Sequence, residues 1–334
     1  MSEKQICTPR VLLSAVVPCY NEDKVLTELY KRLSSVCANF LGDDYEIVLI
    51  NDGSNDDTWP IIRSLSEKDA HIVGVNLARN HGHQLALSAG LSICRGERIL
   101  VIDADLQDPP ELLSEMWVLV DQGADVVYGQ RRARTGETWF KKFSAAFFYR
   151  LLNKMTDVNI PVDTGDFRLM TRRVLETLNA MPEHHRFIRG MVTWIGYKQV
   201  PIIYDRAERF AGETKYPLKK MIQFAVDAIT GFSTRPLRLA SYVGVFLAIL
   251  SFNMFGYVIY GWSEGKSVAG WTSLMAIVLL LGSANMLFLG ILGEYLGRLY
   301  MESKGRPLYI INEIYRTEKG EGFATHRQTV KVAP

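Results

Sequence analysis

The sequence predicts an α/β fold, in which a doubly wound, mostly parallel sheet is followed by amphipathic interface helices and two C-terminal transmembrane helices. Short apolar segments alternate with longer amphipathic segments up to about residue 131. The short segments are rich in Val, Ile and Leu without polar alternation, which is typical of strands buried on both faces. Two long segments near the C-terminal end carry almost no charge, and each is long enough to span a bilayer.

The chain has 334 residues, enough for one α/β domain with an additional segment. Its net charge of +2 gives no reason to expect a nucleic-acid partner. The cysteines Cys7, Cys19, Cys37 and Cys94 lack the spacing of a metal site, and we interpret them as free thiols. The polar N-terminus has no apolar signal-peptide core, so we expect the first domain to stay in the cytoplasm.

Five apolar segments are predicted to be strands, and they comprise residues 12–18, 46–51, 72–77, 98–103 and 125–128. The segments between them have helical periodicity, as in the recurrence of Leu26, Leu29 and Leu33. Alternation of strands and helices predicts a parallel sheet. Because such sheets bind ligands beyond the carboxyl ends of their strands, functional residues are expected where the apolar segments stop.

Polar and acidic residues follow three of these predicted strands. The sequences are PCYNE at residues 18–22, NDGS at residues 51–54 and DADLQD at residues 103–108. The carboxyl ends of parallel strands share one edge of a sheet, so we expect these acidic clusters to converge on one crevice.

A divalent-metal site is predicted where the fourth strand ends. Asp103 and Asp105 lie two residues apart, and two carboxylates at the end of a buried strand are costly unless a cation compensates them. A hard divalent ion usually takes one or two carboxylates together with substrate phosphates, which a nucleotide-sugar supplies. Such an ion stabilises a diphosphate leaving group. The alternative is a solvated turn with helix-capping acids, because residues 108–111 (DPPE) have the sequence of a helix start.

A nucleotide pocket is predicted beside the metal site. Asp52 follows the second strand, where its carboxylate is suited to accept a hydrogen bond from a base N–H or a ribose hydroxyl. Pro18, Tyr20 and Glu22 on the neighbouring loop are suited to frame the base and the ribose. Arg79 ends the third strand, where it can meet a phosphate. The alternatives are an ordinary Asp-Gly turn for Asp52 and an ion pair with a nearby acid for Arg79.

Basic residues are concentrated in the middle of the chain, up to about residue 215. One cluster begins at a strand end and comprises Arg131, Arg132, Arg134, Lys141 and Lys142. That position favours an anion site over a solvated face. Residues 216–235 are amphipathic, which predicts a helix lying on the membrane surface. Lys215, Lys219 and Lys220 at its start would dock the domain onto anionic headgroups.

Two apolar segments, at about residues 237–262 and 271–296, are predicted to be transmembrane helices. Basic residues lie at the two outer ends of the pair, with Arg235 and Arg238 at the start of the first segment and Arg298, Lys304 and Arg306 after the second. By the positive-inside rule, both ends of the pair are cytoplasmic. Glu294 is interpreted as the i,i+4 partner of Arg298 rather than as a lipid-binding group.

The predicted organisation has four parts. A cytosolic domain (residues 1–215) precedes the interface helix (216–235), the transmembrane pair (236–300) and a cytosolic C-terminal segment (301–334), which is expected to be disordered from Thr317 on. Small residues in the second span permit close helix packing, so we expect a homo-oligomer, with a tetramer as one form. These small residues are Gly282, Ser283, Ala284, Gly290 and Gly293.

An ordered set of motifs resembles the family 2 glycosyltransferases with a GT-A fold. The motifs are VVPCYNE, INDGSNDDT, LARNHGHQLALSAG, DADLQDPPE, GDFRLM and ERFAGETKY. With the paired spans and the closing GEYLGRLYMESKGRPLY, the chain resembles more narrowly the polyprenyl-phosphate glycosyltransferases, which include bactoprenol glucosyltransferases and dolichol-phosphate mannose synthase. It departs from the family pattern at residues 81–83 (HGH) and at Thr214.

The resemblance implies a role for each matching residue. It implies metal ligands at Asp103, Asp105 and Gln107. It implies nucleotide-sugar contacts at Pro18, Tyr20, Glu22, Asp52, Arg79, Asp103, Ala104, Arg209 and Lys215, the last two on a mobile loop. It implies acceptor-phosphate contacts at Arg131, Lys142 and Arg168, and catalytic roles for Asp166, Asp105 and Arg131.

The resemblance also implies a reaction. A hexose, with glucose from UDP-glucose as the first candidate, passes with inversion to undecaprenyl phosphate at the cytosolic face of the bacterial inner membrane, with Mg²⁺ or Mn²⁺. The β-linked lipid product serves cell-envelope or O-antigen (lipopolysaccharide) glycosylation. Because two spans form no obvious transport path, a separate flippase and a downstream transferase complete the process.

The acceptor's own chemistry limits the need for a base. A phosphate monoester has a second pKa of about 6 and is largely dianionic at about pH 7. We therefore expect Asp166 to position the acceptor or a sugar hydroxyl and not to serve as an obligatory base. The structural alternative is a buried ion pair between Asp166 and Arg168.

Three other functions compete with this one. The first is the same reaction with mannose or an aminoarabinose derivative. The second is a processive polysaccharide synthase, which carries a QxxRW motif and several more spans, and neither occurs in the sequence. The third is a membrane-anchored nucleotide sensor without turnover, which would leave the acidic clusters and the Arg-containing loop without a purpose.

Overall fold

The computed structural model describes residues 11–132, 164–205, 230, 233–264, 270–318 and 321–326. The chain divides into two units, one containing the sheet and one containing the two long apolar helices. The interface helix predicted at residues 216–235 falls almost wholly outside the described residues. So do the basic residues Arg134, Lys141, Lys142, Arg209, Lys215, Lys219 and Lys220.

The first part of the sheet unit alternates strands and helices, as the sequence predicts. Its elements are β1 (Leu13–Cys19), α1 (Leu26–Leu41), β2 (Tyr45–Asn51), α2 (Thr58–Lys68), β3 (Ile72–Leu77), α3 (His83–Ile93), β4 (Arg98–Val101), a 3₁₀ turn (Pro110–Leu112), α4 (Leu113–Asp121) and β5 (Val126–Arg131). All five predicted strands are confirmed within a few residues at each end.

The remaining elements come from the middle and the end of the chain. They are β6 (Thr164–Thr171), α5 (Arg172–Ala180), α6 (Ile188–Ile195), β7 (Gln199–Tyr204), α7 (Arg235–Ser263), α8 (Trp271–Ser303), β8 (Ile311–Glu318) and β9 (Glu321–His326). The strands of the described residues form one nine-stranded sheet in the order β7-β5-β6-β4-β1-β2-β3-β8-β9.

The centre of the sheet is parallel. β1 pairs with β2 on one side and with β4 on the other, and β3 continues the parallel set beyond β2. The carboxyl ends of these strands therefore share one edge. β6 runs antiparallel to β4, with Arg168 opposite Val101. Continuing this register past the end of β4 brings Asp166 next to Asp103.

The core follows the apolar pattern of the sequence. Every residue of β1 and β2 is buried, which explains the absence of polar alternation in both strands. Helix α1 buries one face through Leu26, Leu29 and Leu33, which recur at helical spacing. Burying each such leucine side chain contributes roughly 1.5–3 kcal/mol.

Glu46 is a buried acid inside β2. Its Oε1 accepts hydrogen bonds from Ser14 Oγ (2.7 Å) and Arg95 N (2.6 Å), and its Oε2 accepts one from Arg95 Nε (3.2 Å). The Arg316 guanidinium lies 3.5 Å from Oε2. These partners compensate a charge that would otherwise be costly to bury.

Three of the predicted free thiols are confirmed. Cys19, Cys37 and Cys94 are free and buried, while Cys7 lies outside the described residues. Burial raises the pKa of Cys37 and of Cys94 to about 12, so both stay protonated and unreactive near neutral pH.

The C-terminal segment differs from the expectation. The prediction of disorder from Thr317 on is wrong for residues 317–318 and 321–326, because these residues belong to β8 and β9. β8 pairs antiparallel with β3, with Tyr315 opposite Gly74. A polar segment is ordered here because its backbone groups complete the edge of an existing sheet.

The second unit contains the two helices predicted as spans. By length and composition, segments Arg235–Tyr257 and Ile277–Ser303 can each cross a membrane, with mean hydropathies of 1.7 and 1.9, and neither is buried within the protein. Two exposed apolar helices of this length are consistent with a membrane-associated protein. Arg298 Nε donates to Glu294 Oε1 at 3.1 Å, which confirms the predicted i,i+4 pair.

Candidate active site

A cleft of about 750 Å³ lies at the carboxyl edge of the parallel strands. Six residues that the sequence predicts to bind a nucleotide-sugar or a metal line it, namely Pro18, Tyr20, Glu22, Asp103, Ala104 and Asp105. They come from the loops after β1 and β4, which are neighbours in the sheet. The expected convergence of these two acidic clusters is therefore found.

Both loops contain a residue in the left-handed region of backbone space. Asn21 has a φ of 56° and Leu106 has a φ of 57°. Asparagine tolerates this conformation, but for a buried leucine it is strained. Strain of this kind persists where the surroundings enforce it, and such residues cluster at functional sites.

Asp103 carries a carboxylate oxygen without a hydrogen bond. Its Oδ1 is buried and has no hydrogen-bond partner among the residues that the structure describes, and His83 Nε2 lies 3.5 Å away. Burial raises the pKa of Asp103 to about 6, and the negative charges of Asp166, Asp108 and Asp105 add to the effect of burial. The oxygen is thus in a position where a bound cation would relieve an electrostatic cost.

The residues at the end of β4 fit a divalent cation of the Mg²⁺ type. Among the described residues, no group of three or more His, Cys, Asp or Glu side chains has metal-binding geometry. Mg²⁺ does not need such a group, because it usually keeps waters and adds one or two carboxylates to substrate phosphates. Asp103 and Asp105 supply those carboxylates in one cleft. Gln107, the third predicted ligand, is buried, and its backbone N–H donates to Asp105 Oδ1 at 3.2 Å.

Asp166 is the centre of a buried polar network. Gln84 Nε2 donates to its Oδ2 at 2.9 Å, and His83 Nε2 lies 3.2 Å from the same oxygen. The guanidinium groups of Arg168 and Arg189 each lie 3.6 Å from Oδ1. Burial alone would raise the pKa of Asp166, but the hydrogen bond from His83 and the charges of both arginines outweigh it and hold the pKa well below its ordinary value. Asp166 is therefore ionised at neutral pH.

His83 links this network to Asp103, a predicted metal ligand. It lines the cleft, and its Nε2 is near both Asp166 and Asp103. Burial alone would lower the pKa of His83, but the hydrogen bond to Asp166 and the charge of Asp103 raise it to about 8. The imidazole is thus a cation at neutral pH, held by two carboxylates.

Arg131 ends β5, where the charges of Asp108 and Asp103 act on it. A Cβ atom on Gly165 would lie 2.8 Å from the guanidinium of Arg131, so the glycine makes room for this side chain. Burial alone would lower the pKa of Arg131, but a hydrogen bond with Tyr204 and the charges of Asp108 and Asp103 raise it. Tyr204 in turn donates its hydroxyl to Asp108 Oδ1. A cation held in this way is suited to meet an anionic substrate group.

Asp52 has a different environment from the one expected. It is buried, its Oδ1 accepts from His81 N (2.7 Å) and its Oδ2 accepts from Gly82 N (2.9 Å). It is absent from the residues that line the cleft. The carboxylate therefore fixes the loop that leads into α3 and His83.

Gly53→Ala is expected to separate the two loops that Asp52 joins. A Cβ atom at Gly53 would lie 2.5 Å from Asn80 N and 2.6 Å from the Arg79 carbonyl carbon, and the φ of +65° disfavours any side chain. The matched control is Gly42→Ala, which has a similar φ of +62° but nothing within 4 Å. The control should cost about 1–3 kcal/mol of backbone strain. The melting temperature of Gly53→Ala should fall clearly further, and equal losses would contradict this packing.

The other predicted residues lie as follows. Arg79 is exposed, and its guanidinium donates to Asn80 O at 3.4 Å. Arg168 is buried and donates to the backbone oxygens of Asp166 and Gly165, so its direct contact with an acceptor phosphate stays a prediction. Arg132 forms an exposed ion pair with Asp205 at 3.1 Å. Lys142, Arg209 and Lys215 lie outside the described residues.

Three residues of the site were missed by sequence reasoning. His83 was noted only as a departure from a family motif, although its place beside a glycine at a helix start was a usable signal. Gln84 also accepts from Ile188 N at 2.9 Å and so ties Asp166 to the start of α6. Arg189 on α6 had no local signal, because only the tertiary fold brings it to Asp166.

Comparison with known proteins gives two matches to protein families. The profile of "Glycosyl transferase family 2" matches residues 14–178, which contain Asp103, Asp105 and Asp166. The profile of the "GtrB C-terminal hairpin" matches residues 235–299, which contain most of α7 and α8.

Several relatives match nearly the whole chain, among them proteins of Bacillus subtilis, Escherichia coli and a Shigella phage. An uncharacterized glycosyltransferase, YkcC of Bacillus subtilis, is 48% identical over 91% of this chain and 94% of its own length. A prophage bactoprenol glucosyl transferase homolog of Escherichia coli K12 is 40% identical over 90% of this chain and 99% of its own length. The bactoprenol glucosyl transferase of Shigella phage SfII is 39% identical over 91% of this chain and 98% of its own length. The chain therefore belongs to glycosyltransferase family 2 and is a glycosyltransferase that carries the GtrB C-terminal hairpin.

Proposed function

We propose that the chain transfers a hexose from a nucleotide-sugar to undecaprenyl phosphate at the cytosolic face of the bacterial inner membrane. The observation that carries this proposal is the buried Asp103 oxygen without a hydrogen bond, in a cleft that Asp105 also lines. This arrangement suits a cation bound together with a diphosphate. The names of the relatives from Escherichia coli and phage SfII favour a bactoprenol acceptor and a glucosyl donor.

The donor is bound by the loops after β1, β2 and β4. Asp103 and Asp105 would hold a divalent cation such as Mg²⁺ or Mn²⁺, which would supply positive charge to stabilise the leaving diphosphate. Glucose from UDP-glucose is the first candidate donor, and mannose or an aminoarabinose derivative are the alternatives. Tyr20, which is 45% exposed at the cleft, offers an aromatic face for a nucleotide base.

The acceptor is a membrane lipid. The apolar hairpin and the basic residues at its two ends support a multi-pass protein of the inner membrane with its catalytic domain and both termini in the cytosol. Flipping of the product and its later use remain tasks for a separate flippase and a downstream transferase. Self-association through the small residues of α8 stays a prediction.

The chain's own residues act mainly by orientation and charge. The lipid phosphate is dianionic near about pH 7 and attacks the anomeric carbon directly, while the bond to the nucleoside diphosphate breaks. Arg131 orients the incoming phosphate. Asp166 is ionised and held by four side chains, which suits it to fix His83 and the acceptor side of the cleft.

Metal removal should abolish turnover. Purified full-length protein in detergent, with undecaprenyl phosphate and a panel of nucleotide-sugars, should release nucleoside diphosphate from one donor. EDTA should reduce this release to background, and excess Mg²⁺ or Mn²⁺ should restore it. Release that persists in EDTA would overturn the role given to Asp103 and Asp105.

One displacement should invert the anomeric centre. An α-linked nucleotide-sugar should therefore give a β-linked lipid phosphate sugar. The anomeric coupling constant in the NMR spectrum of the purified product measures this directly. An α-linked product would require a covalent intermediate or another retaining path, which this site does not provide for.

A further inference from the structure

We infer that the C-terminal strand β8 positions the nucleotide end of the cleft, with Glu313 as a positioning residue that acts through Asn76 and Asn51. This inference rests on the proposed function, because it assigns β8 a part in binding the nucleotide-sugar. β8 follows the apolar hairpin in the chain, yet it completes the sheet edge beside β3.

A continuous series of hydrogen bonds runs from β8 to the cleft. Asn76 Nδ2 donates to Glu313 Oε1 at 3.2 Å, and Asn51 Nδ2 donates to Asn76 Oδ1 at 2.8 Å. Asn51 Oδ1 accepts from Ser54 N at 3.2 Å. Ser54 Oγ accepts from Asn21 N at 3.0 Å. Glu313 is thus joined, through side chains and the backbone N–H groups of Ser54 and Asn21, to a loop that lines the cleft.

The far end of this series needs external support. Asn21 is in the left-handed backbone region, with a φ of 56°. Its side-chain Oδ1 accepts from Asn55 N at 3.0 Å, and both residues line the cleft. A loop in a sparsely populated conformation stays there only when its neighbours hold it. The side-chain amides of Asn51 and Asn76 can keep this geometry only while each has its own partner fixed.

The segment before β8 also holds the loop on the other side of Asp52. Ala78 N donates to Ile310 O at 2.9 Å, and Ile310 N lies 3.4 Å from His81 Nε2. The backbone of His81 is in turn bound by Asp52. The C-terminal segment therefore contacts the loop after β3 directly, and it reaches the loop after β2 only through Asn76 and Asn51.

Other contacts attach β8 independently of Glu313. Tyr315 Oη donates to Glu67 Oε1 at 3.2 Å, Thr317 Oγ1 donates to Ser66 O at 2.6 Å, and Arg316 lies 3.5 Å from Glu46 Oε2. The strand keeps its backbone pairing with β3 in any side-chain variant. Removing the Glu313 carboxylate should therefore interrupt the side-chain series and leave the strand in place.

The test measures nucleotide binding by full-length protein in detergent. Titration calorimetry with UDP and Mg²⁺ gives the Kd and the active fraction separately, and kinetics give KM for donor and for lipid acceptor. In Glu313→Ala, we expect the Kd for UDP and the donor KM to rise about fivefold, as for one lost hydrogen bond. The acceptor KM and the active fraction should not change. Glu313→Gln keeps the accepting oxygen and should restore the Kd to within about twofold.

A control on the same strand and three outcomes would distinguish nucleotide positioning by Glu313 from a purely structural role. Asn312→Ala removes an exposed side chain from the same strand and should leave the Kd unchanged. A lower active fraction at unchanged Kd in Glu313→Ala would mean a structural role only and would overturn the inference. Wild-type protein that binds none of UDP, GDP, CDP and dTDP would overturn the proposed function and the inference with it. Binding by wild type with an identical Kd in Glu313→Ala would overturn the inference alone.

Discussion

Asp103→Asn should lower kcat by a factor on the order of 10²–10³, because it removes charge stabilisation of a few kcal/mol from the leaving diphosphate. The same change should leave the melting temperature of the metal-free protein unchanged or higher. The reason is that Asp103 carries a buried oxygen without a hydrogen bond, and burial already raises its pKa to about 6. Asp103 shares the His83 cation with Asp166 and is repelled by the neighbouring carboxylates, so removing its charge relieves a folding cost.

A lower kcat with an unchanged or higher melting temperature would distinguish a catalytic role of Asp103 from a structural one. Kinetics with saturating donor and thermal unfolding in EDTA measure the two parts. The matched control is Asp57→Asn, an exposed carboxylate after β2 that does not line the cleft, and it should change neither quantity. Loss of activity together with a large fall in melting temperature would show that Asp103 has a structural role, contrary to this account.

Asp166→Ala should destabilise the sheet unit by about 3–5 kcal/mol, the usual cost of removing one partner from a buried ion pair. It leaves the guanidinium groups of Arg168 and Arg189, as well as His83, without their carboxylate. At ~2–4 °C per kcal/mol, the melting temperature should fall by roughly 10 °C. Asp205→Ala is the matched control, because its pair with Arg132 is exposed and worth about 0–1 kcal/mol.

The isosteric change Asp166→Asn tests the chemical role of the same residue. If the Asp166 carboxylate only positions the acceptor, we expect Asp166→Asn to transfer sugar more slowly but with the pH dependence of the wild type. A rate that recovers as pH rises, along a new pKa, would indicate that hydroxide replaces a lost base. In that case Asp166 would have to be an obligatory base, and the dianionic acceptor would not suffice.

The sheet could be predicted from the sequence where its signals are local. β1, β2 and β3 are short apolar runs with turn residues after them, so their bounds follow from composition alone. The acidic residues after β1 and β4 could likewise be placed in one cleft, because the ends of neighbouring parallel strands coincide.

The strands at the flanks could not be predicted in the same way. β6 and β8 join the sheet by antiparallel pairing with β4 and β3, and their partners are far away in the chain. β8 is polar enough to resemble a disordered tail, and only an open sheet edge makes it a strand. Pairing at such distances depends on the assembled sheet and leaves no local pattern.

The residues of the site also fall into two groups, those that local motifs predict and those that only the folded chain brings together. Asp103 and Asp105 could be predicted from their place after an apolar strand, and Asp166 from the resemblance of the GDFRLM motif. The partners of Asp166 could not, because Gln84 and Arg189 come from α3 and α6 and meet only in the folded protein. Asp52 illustrates the limit most clearly, because its position was predicted but its hydrogen-bond partners are backbone groups of a neighbouring loop.

The measurement that tests the central claim most directly is transfer of labelled sugar into an organic phase. Purified protein is incubated with undecaprenyl phosphate, Mg²⁺ or Mn²⁺ and a panel of labelled nucleotide-sugars, with Asp105→Asn as the control. Label from one donor, foremost UDP-glucose, should enter the organic phase only with the lipid phosphate present, and both EDTA and the substitution should prevent it. Absence of lipid-borne label from every donor, in wild-type protein that binds nucleotide with metal, would contradict transfer to a polyprenyl phosphate.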